Sequence, residues 1–237
     1  MAYPADPRLV VVTCVRLKGF ADVGPIVEAS GLESSLVERI LADLGADELA
    51  RHREGRVSGW TLTPAGRALH AELVAAELAD AGCEPDVETG YQQFLGLNPR
   101  LLTTASAWQL RQKDGQPVVN DHTDAAHDAR VIGDLRALHM ATAPVLDRLG
   151  SLLERFARYG ARLSTAVDRV EAGDQDWFTK PLIDSYHTVW FELHEDLLGT
   201  LGKERPWAPK RSLIPPRGRF FMRPHPGGSV AGGQGPI

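Results

Sequence analysis

The stretch LARHREGRVSGWTLTP, residues 49–64, holds the one pair of strand-like runs in a sequence that otherwise reads as helix. LARHRE (49–54) and VSGWTLT (57–63) are short enough to be strands, and Gly55-Arg56 sits between them. A two-residue connection suits a primed hairpin turn in which glycine supplies positive φ. Thr63 then reads as an N-cap and Pro64 as the first residue of a helix through Leu78, because proline has no amide to leave unsatisfied there. The fold class that follows is mainly α, with one two-stranded hairpin near the N-terminus.

The flanking sequence supplies the helices. Residues 9–18 and 22–30 read as helices stopped by Gly19 and Gly31. Ser35 and Glu38 have capping-box spacing, and Leu36, Val37, Ile40, Leu41 and Leu44 give a third helix its apolar stripe, ending near Gly45. From 84 to 202 the pattern is helical. Asn98-Pro99 reads as an N-cap and first helical residue, and helices fit 127–149, 150–172 and 179–202, with Gly150 and Gly173 as punctuation. Between them QKDGQPVVNDHTDAA (112–126) reads as a polar loop, long enough to be functional or to cap a cavity. The organisation expected is a helix-hairpin-helix domain over 1–80, an all-helical bundle over 81–202, and a tail over 203–237. That tail has seven Pro and six Gly in 35 residues and reads as a flexible segment.

Composition narrows the class. Hydrophobic content is 43% and charged content 24%, as in globular domains. No run approaches the length of a membrane helix, and LVVVTCV (9–15) lacks the basic flank of a signal peptide. Cys14 and Cys83 match no metal or redox spacing, so two reduced thiols in a cytoplasmic protein are expected. Net charge is −5 overall, yet +6 over 203–237.

Residues 16–67 resemble the winged helix-turn-helix domain of bacterial transcriptional regulators, MarR-like in character. The resemblance rests on the Gly31-Leu32 turn, the serine-rich start of the third helix, the wing entry L-x-R-H-R-E-G-R, and the exit W-x-L-T-P-x-G-R from Trp60 to Arg67. It covers roughly the first third of the chain. It implies a third helix in the major groove and a wing tip near the backbone or minor groove. The DNA-facing positions are then Glu33, Ser34, Ser35, Glu38 and Arg39 on the helix, Arg51, His52, Arg53 and Arg56 on the wing, and Arg67 beyond it. The remainder is similar to the helical sensor or dimerisation domains of such regulators, which implies double-stranded DNA and a small-molecule effector as partners, in a homodimer.

Affinity for DNA comes mainly from cations on phosphates. The wing offers three arginines in six residues, but the helix offers one arginine with two glutamates. Two functions therefore stay open: a ligand-responsive regulator, and an accessory module whose winged helix serves protein contact.

In 179–202, Leu182, Tyr186, Val189, Trp190, Leu193, Leu197 and Leu201 share one helical face. Trp108, Gln109, Trp177, Tyr186 and Trp190 have the chemistry of a ligand cleft, with His122 on a covering loop and Asp184, His187 and His194 as polar members. The same spacing fits a packed core, the reading favoured for the aromatics. A metal set from Asp184, His187, His194, His122 and His139 is disfavoured, because His187 and His194 lie two turns apart, about 10 Å by helical rise. No nucleotide loop, nucleophile elbow or zinc-protease motif is present, so neither enzyme activity nor a cofactor is expected.

Overall fold

The computed structural model describes residues 1–203; the tail from 204 onward lies outside the described residues. Helix α1 (Pro7–Lys18) opens with the Asp6 side chain accepting from the Arg8 amide and closes at Gly19. Every residue from Leu9 to Val15 is buried. A helix apolar all round belongs in an interior, and here packing overrides the weak helix preference of a Val-Val-Val-Thr run. Around α1 sit α2 (Val23–Ser30), α3 (Ser34–Ala46) and α4 (Pro64–Ala81). Val37, Leu41 and Leu44 of α3 are fully buried, at the spacing of one helical face.

The hairpin pairs β1 (Ala50–Arg53) with β2 (Gly59–Leu62), antiparallel, with Arg53 opposite Gly59. The expected two-residue turn is therefore wrong. Five residues, 54–58, connect the strands, and Gly55 does not take positive φ. The Thr63-Pro64 start holds: Thr63 Oγ1 accepts from the Gly66 amide at 3.1 Å and lies 2.9 Å from the Glu48 carbonyl. Gly66 is needed for a steric reason, since a Cβ there would stand 2.0 Å from the Leu49 carbonyl oxygen.

Gly82 ends α4 and α5 (Glu84–Gln109) begins. Asn98-Pro99 does not start a helix, as expected from sequence, but lies inside α5. Proline removes one ladder bond, and the helix runs on because its buried face, Phe94 and Leu101 included, is held against α6. Asn98 is used elsewhere: its Oδ1 accepts from Trp190 Nε1 at 2.7 Å. The expected polar loop is largely a second hairpin, β3 (Leu110–Lys113) with β4 (Gln116–Val119). Asp114 and Gly115 both have positive φ (51° and 74°), the requirement of a primed two-residue turn.

Helix α6 (Ala125–Leu152) then runs through Gly150, which punctuates nothing. A short 3-10 turn (Glu154–Phe156), α7 (Ala157–Glu171), α8 (Asp176–Thr179) and α9 (Tyr186–Thr200) complete the described residues. Helix α9 begins at Tyr186, not 179, so Leu182 and Asp184 belong to the preceding connection and Leu182 is wholly exposed rather than part of the apolar face. Among the described residues two apolar clusters result, one within residues 10–62 and one within 78–198. Helices α1 and α4 both pack on α9, which joins them. No described helix is long and apolar enough to cross a membrane.

Candidate functional site

Burying Val37, Leu41 and Leu44 forces the opposite face of α3 outward. Ser34, Ser35, Glu38 and Arg39 are all exposed there. The expected capping box is absent: Glu33 holds the N-cap position with no side-chain bond, and Ser34 Oγ donates to Glu38 Oε1 at 2.9 Å. On β1 only Ala50 is buried, so Arg51, His52 and Arg53 are exposed, as is Arg56 in the connection. Strand alternation puts Arg51 and Arg53 on one face and His52 on the other, where its ring stacks on Trp60 at 5.0 Å. Arg39, Arg51, Arg53 and Arg56 have no ion-pair partner among the described residues. Arg67 is employed differently: its Nη1 donates to the Leu62 carbonyl at 2.9 Å, fixing the end of β2. Residues 33–56 carry these four arginines among six carboxylates, of which Asp47 pairs with Arg8.

The expected ligand residues do not converge. Trp108, Gln109 and His122 meet at one cleft beside Lys180. There the buried Asn120 amide donates to the Trp108 carbonyl (3.1 Å) and to Asp128 Oδ1 (2.8 Å). Asp128 Oδ2 lies 2.9 Å from His122 Nδ1, and the imidazole stacks on Trp108 at 4.5 Å. A carboxylate accepts only, so this bond places the His122 proton on Nδ1. The group locks the β3–β4 hairpin onto the start of α6. Tyr186, Trp190 and His194 lie in or against the helical core, with Trp190 4.5 Å from Phe94 and His194 5.9 Å from the same ring. Trp177 lies under the Arg169 guanidinium at 5.5 Å. His187 is half-buried, and burial pushes its imidazole below the ordinary value. Among the described residues no group of three or more His, Cys, Asp or Glu is placed to hold a metal ion.

Asp184 belongs to a feature that sequence reasoning missed. Between the two apolar clusters lie two ionic quartets, each with two cations and two carboxylates. In the first, Arg155 gives Nε to Glu77 Oε2 (2.6 Å), Nη1 to Asp196 Oδ1 (2.6 Å) and Nη2 to Thr200 Oγ1 (2.7 Å). Arg158 and the Tyr159 hydroxyl both donate to Asp196 Oδ2, at 3.1 and 2.8 Å. In the second, Arg162 gives Nε to Asp184 (2.7 Å) and Nη2 to Glu192 (2.6 Å), while Lys18 Nζ reaches the same carboxylates at 3.3 and 3.2 Å. The Tyr159 ring lies between the quartets, 4.9 Å from the Arg158 guanidinium and 5.7 Å from that of Arg162. Arg155 and Asp196 side chains are wholly buried. Burial alone raises the Asp196 carboxyl, but Arg155 and Arg158 hold it below the ordinary value. At Glu77 burial wins and the carboxyl is raised. His70, packed beside this quartet, is pushed down to about 4 by burial and then by Arg16.

The signal for the quartets lies in the arginine spacing: 155, 158 and 162 recur at i, i+3 and i+7, and Glu192 and Asp196 stand at i, i+4 in α9. Comparison with protein-family models, curated proteins and solved structures finds no match to this chain.

Proposed function

We propose that this chain is a DNA-binding transcriptional regulator of the winged-helix type, with α3 in the major groove and the β1–β2 hairpin on the flanking backbone. The observation that carries the reading is the state of four arginines. Arg39, Arg51, Arg53 and Arg56 are exposed and without an ion-pair partner among the described residues, on the outward side of the third helix and the hairpin after it. Free guanidinium groups displace counterions from phosphate, and this term dominates non-specific affinity. The order of three helices, a hairpin and a fourth helix supports the same docking. A homodimer on a two-fold operator is the assembly this reading expects.

The test is fluorescence anisotropy of the full chain against duplexes enriched from a random pool. Saturable binding that weakens steeply with salt supports the reading; no binding at micromolar protein in low salt overturns it. One observation favours a second reading. Six carboxylates share residues 33–56 with the four arginines, and they repel phosphate. In that case the same face contacts a protein, and purification brings down one stoichiometric partner free of nucleic acid.

A further inference from the structure

A cleft of about 470 Å³ separates the hairpin connection and the end of α1 from the α8–α9 connection and the first turns of α9. Its size falls within the range of small-molecule sites. Phe20 and Val57 form one wall, and Leu182 and Phe191 the other. These are four of the nine large hydrophobic side chains exposed among the described residues, at 39%, 67%, 100% and 44%. Scattered exposed leucines need no explanation, but convergence of this kind marks a binding surface.

Leu182 adds an independent observation. Its φ is +70°, a backbone region that is costly for leucine. Its side chain is wholly exposed, so burial within the chain returns none of that cost. Strain without internal compensation collects at ligand clamps.

The floor says what chemistry fits. It is the second quartet, seen from the cleft as Lys18 and Glu192. Lys18 and Arg162 already balance Asp184 and Glu192, so a charged ligand finds no uncompensated partner on the floor and is penalised for leaving water. The other charged lining residue, Asp22, lies exposed to solvent with its Oδ1 accepting from the Val23 amide at the start of α2. An ammonium group has three donors, and Lys18 spends two on these carboxylates. Among the described residues the third has no partner, which leaves it to an acceptor oxygen.

The hairpin lies within reach of any occupant. Val57 follows Arg56 directly, and Phe20 precedes Ala21, whose amide and carbonyl pair with those of Trp60 on β2 at 3.2 and 2.7 Å. A molecule spanning the walls therefore ties the hairpin to α9.

We propose that this cleft binds an uncharged, largely hydrophobic small molecule bearing an acceptor oxygen, and that its occupancy sets the position of the arginine-bearing hairpin. The binding half stands without the DNA reading; the coupling half rests on it. The experiment uses the full chain and two fluorescent naphthalene probes, the uncharged ketone 6-propionyl-2-dimethylaminonaphthalene, whose carbonyl oxygen is the acceptor, and the anionic 8-anilinonaphthalene-1-sulfonate. The uncharged probe is expected to bind saturably, one per chain, and the anion roughly tenfold more weakly or worse. Leu182→Gly removes the side chain and relieves the backbone; it is expected to fold with unchanged or higher Tm and to lose roughly tenfold in probe affinity. Phe20→Ser is expected to act in the same direction from the other wall. Equal affinity for both probes, or unchanged affinity in both variants, overturns the site. So does absence of probe binding in a chain that sedimentation shows to dimerise and that Leu182→Gly turns monomeric, because a second copy then fills the cleft. Adding the uncharged probe during DNA titration tests the coupling: a shifted DNA affinity supports it, and an unshifted one in a probe-saturated, DNA-binding chain overturns it. Probe binding without DNA binding removes the regulator reading and leaves the site; DNA binding without probe binding does the reverse.

Discussion

Two groups of arginines in this molecule meet opposite fates. Arg155, Arg158 and Arg162 lie inside, each on at least one carboxylate, in sets whose charges cancel. Arg39, Arg51, Arg53 and Arg56 lie outside, with no ion-pair partner among the described residues, on a segment where carboxylates are plentiful. Availability of acid does not separate them. Burial does: an ion withdrawn from water must find its partner within the protein, whereas a surface guanidinium stays solvated and gains little from pairing. The inner set therefore holds the fold together, and the outer set remains available for an external anion.

Several variants sharpen that contrast. The largest effect is expected from Arg155→Ala, which strands the buried carboxylates of Glu77 and Asp196 and should cost about 3–5 kcal/mol in urea unfolding. Replacing all four members of the quartet, Glu77, Arg155, Arg158 and Asp196, together by apolar residues of similar volume should recover much of that loss, because no buried charge is then left without its partner. A cost for Arg155→Ala near that of a surface substitution would break the distinction between the two groups.

Next comes acid sensitivity at the inner site. His70 is held at about 4 against an ordinary 6.5, so the folded state binds the proton less readily than the unfolded chain. Stability is full above the ordinary value and falls as pH drops toward about 4, by an amount on the order of 3 kcal/mol. His70→Gln should flatten that limb in unfolding curves; an unchanged limb would contradict it. His139 and His187, also lowered by burial, account for the part that remains. Asp184 and Asp196 are held below the ordinary carboxyl value, so their contribution persists to lower pH and is lost only as pH falls through their folded values. The smallest effect on stability belongs outside. Arg51→Ala, Arg53→Ala and Arg56→Ala should each stay within about 0.5 kcal/mol of wild type in the same unfolding assay.

What was legible in the sequence was local. Gly19, Gly31 and Thr63-Pro64 end or begin helices for reasons carried within a few residues, and the ends of α1 and α2 and the start of α4 follow from them. The Asp114-Gly115 turn was equally local, but its weakly apolar flanks concealed the second hairpin. Pro99 shows the opposite case, a local stop signal overridden because α5 has a long partner in α6. The arginine spacing marks one side of the quartets, but which carboxylates it meets was out of reach for a different reason. Arg155 joins Glu77 and Asp196 across 78 and 41 residues, and neither separation leaves a periodic trace. The outward positions of α3 and β1 were readable because burying one face of a short element fixes the other. The cleft between the hairpin connection and α9 was not, since its walls come from the α1–α2 connection, the first hairpin's connection, the α8–α9 connection and α9.

The most direct test of the regulator reading is the salt dependence of DNA binding, measured by anisotropy with an enriched duplex for wild type and for the Arg51→Ala, Arg53→Ala, Arg56→Ala triple variant. The outer arginines, as phosphate ligands, should give wild type a steep fall of log K with log salt. The triple variant should show a slope shallower by roughly one for each arginine lost. A triple variant with unchanged slope and affinity, or a wild type with no saturable binding, would contradict the account.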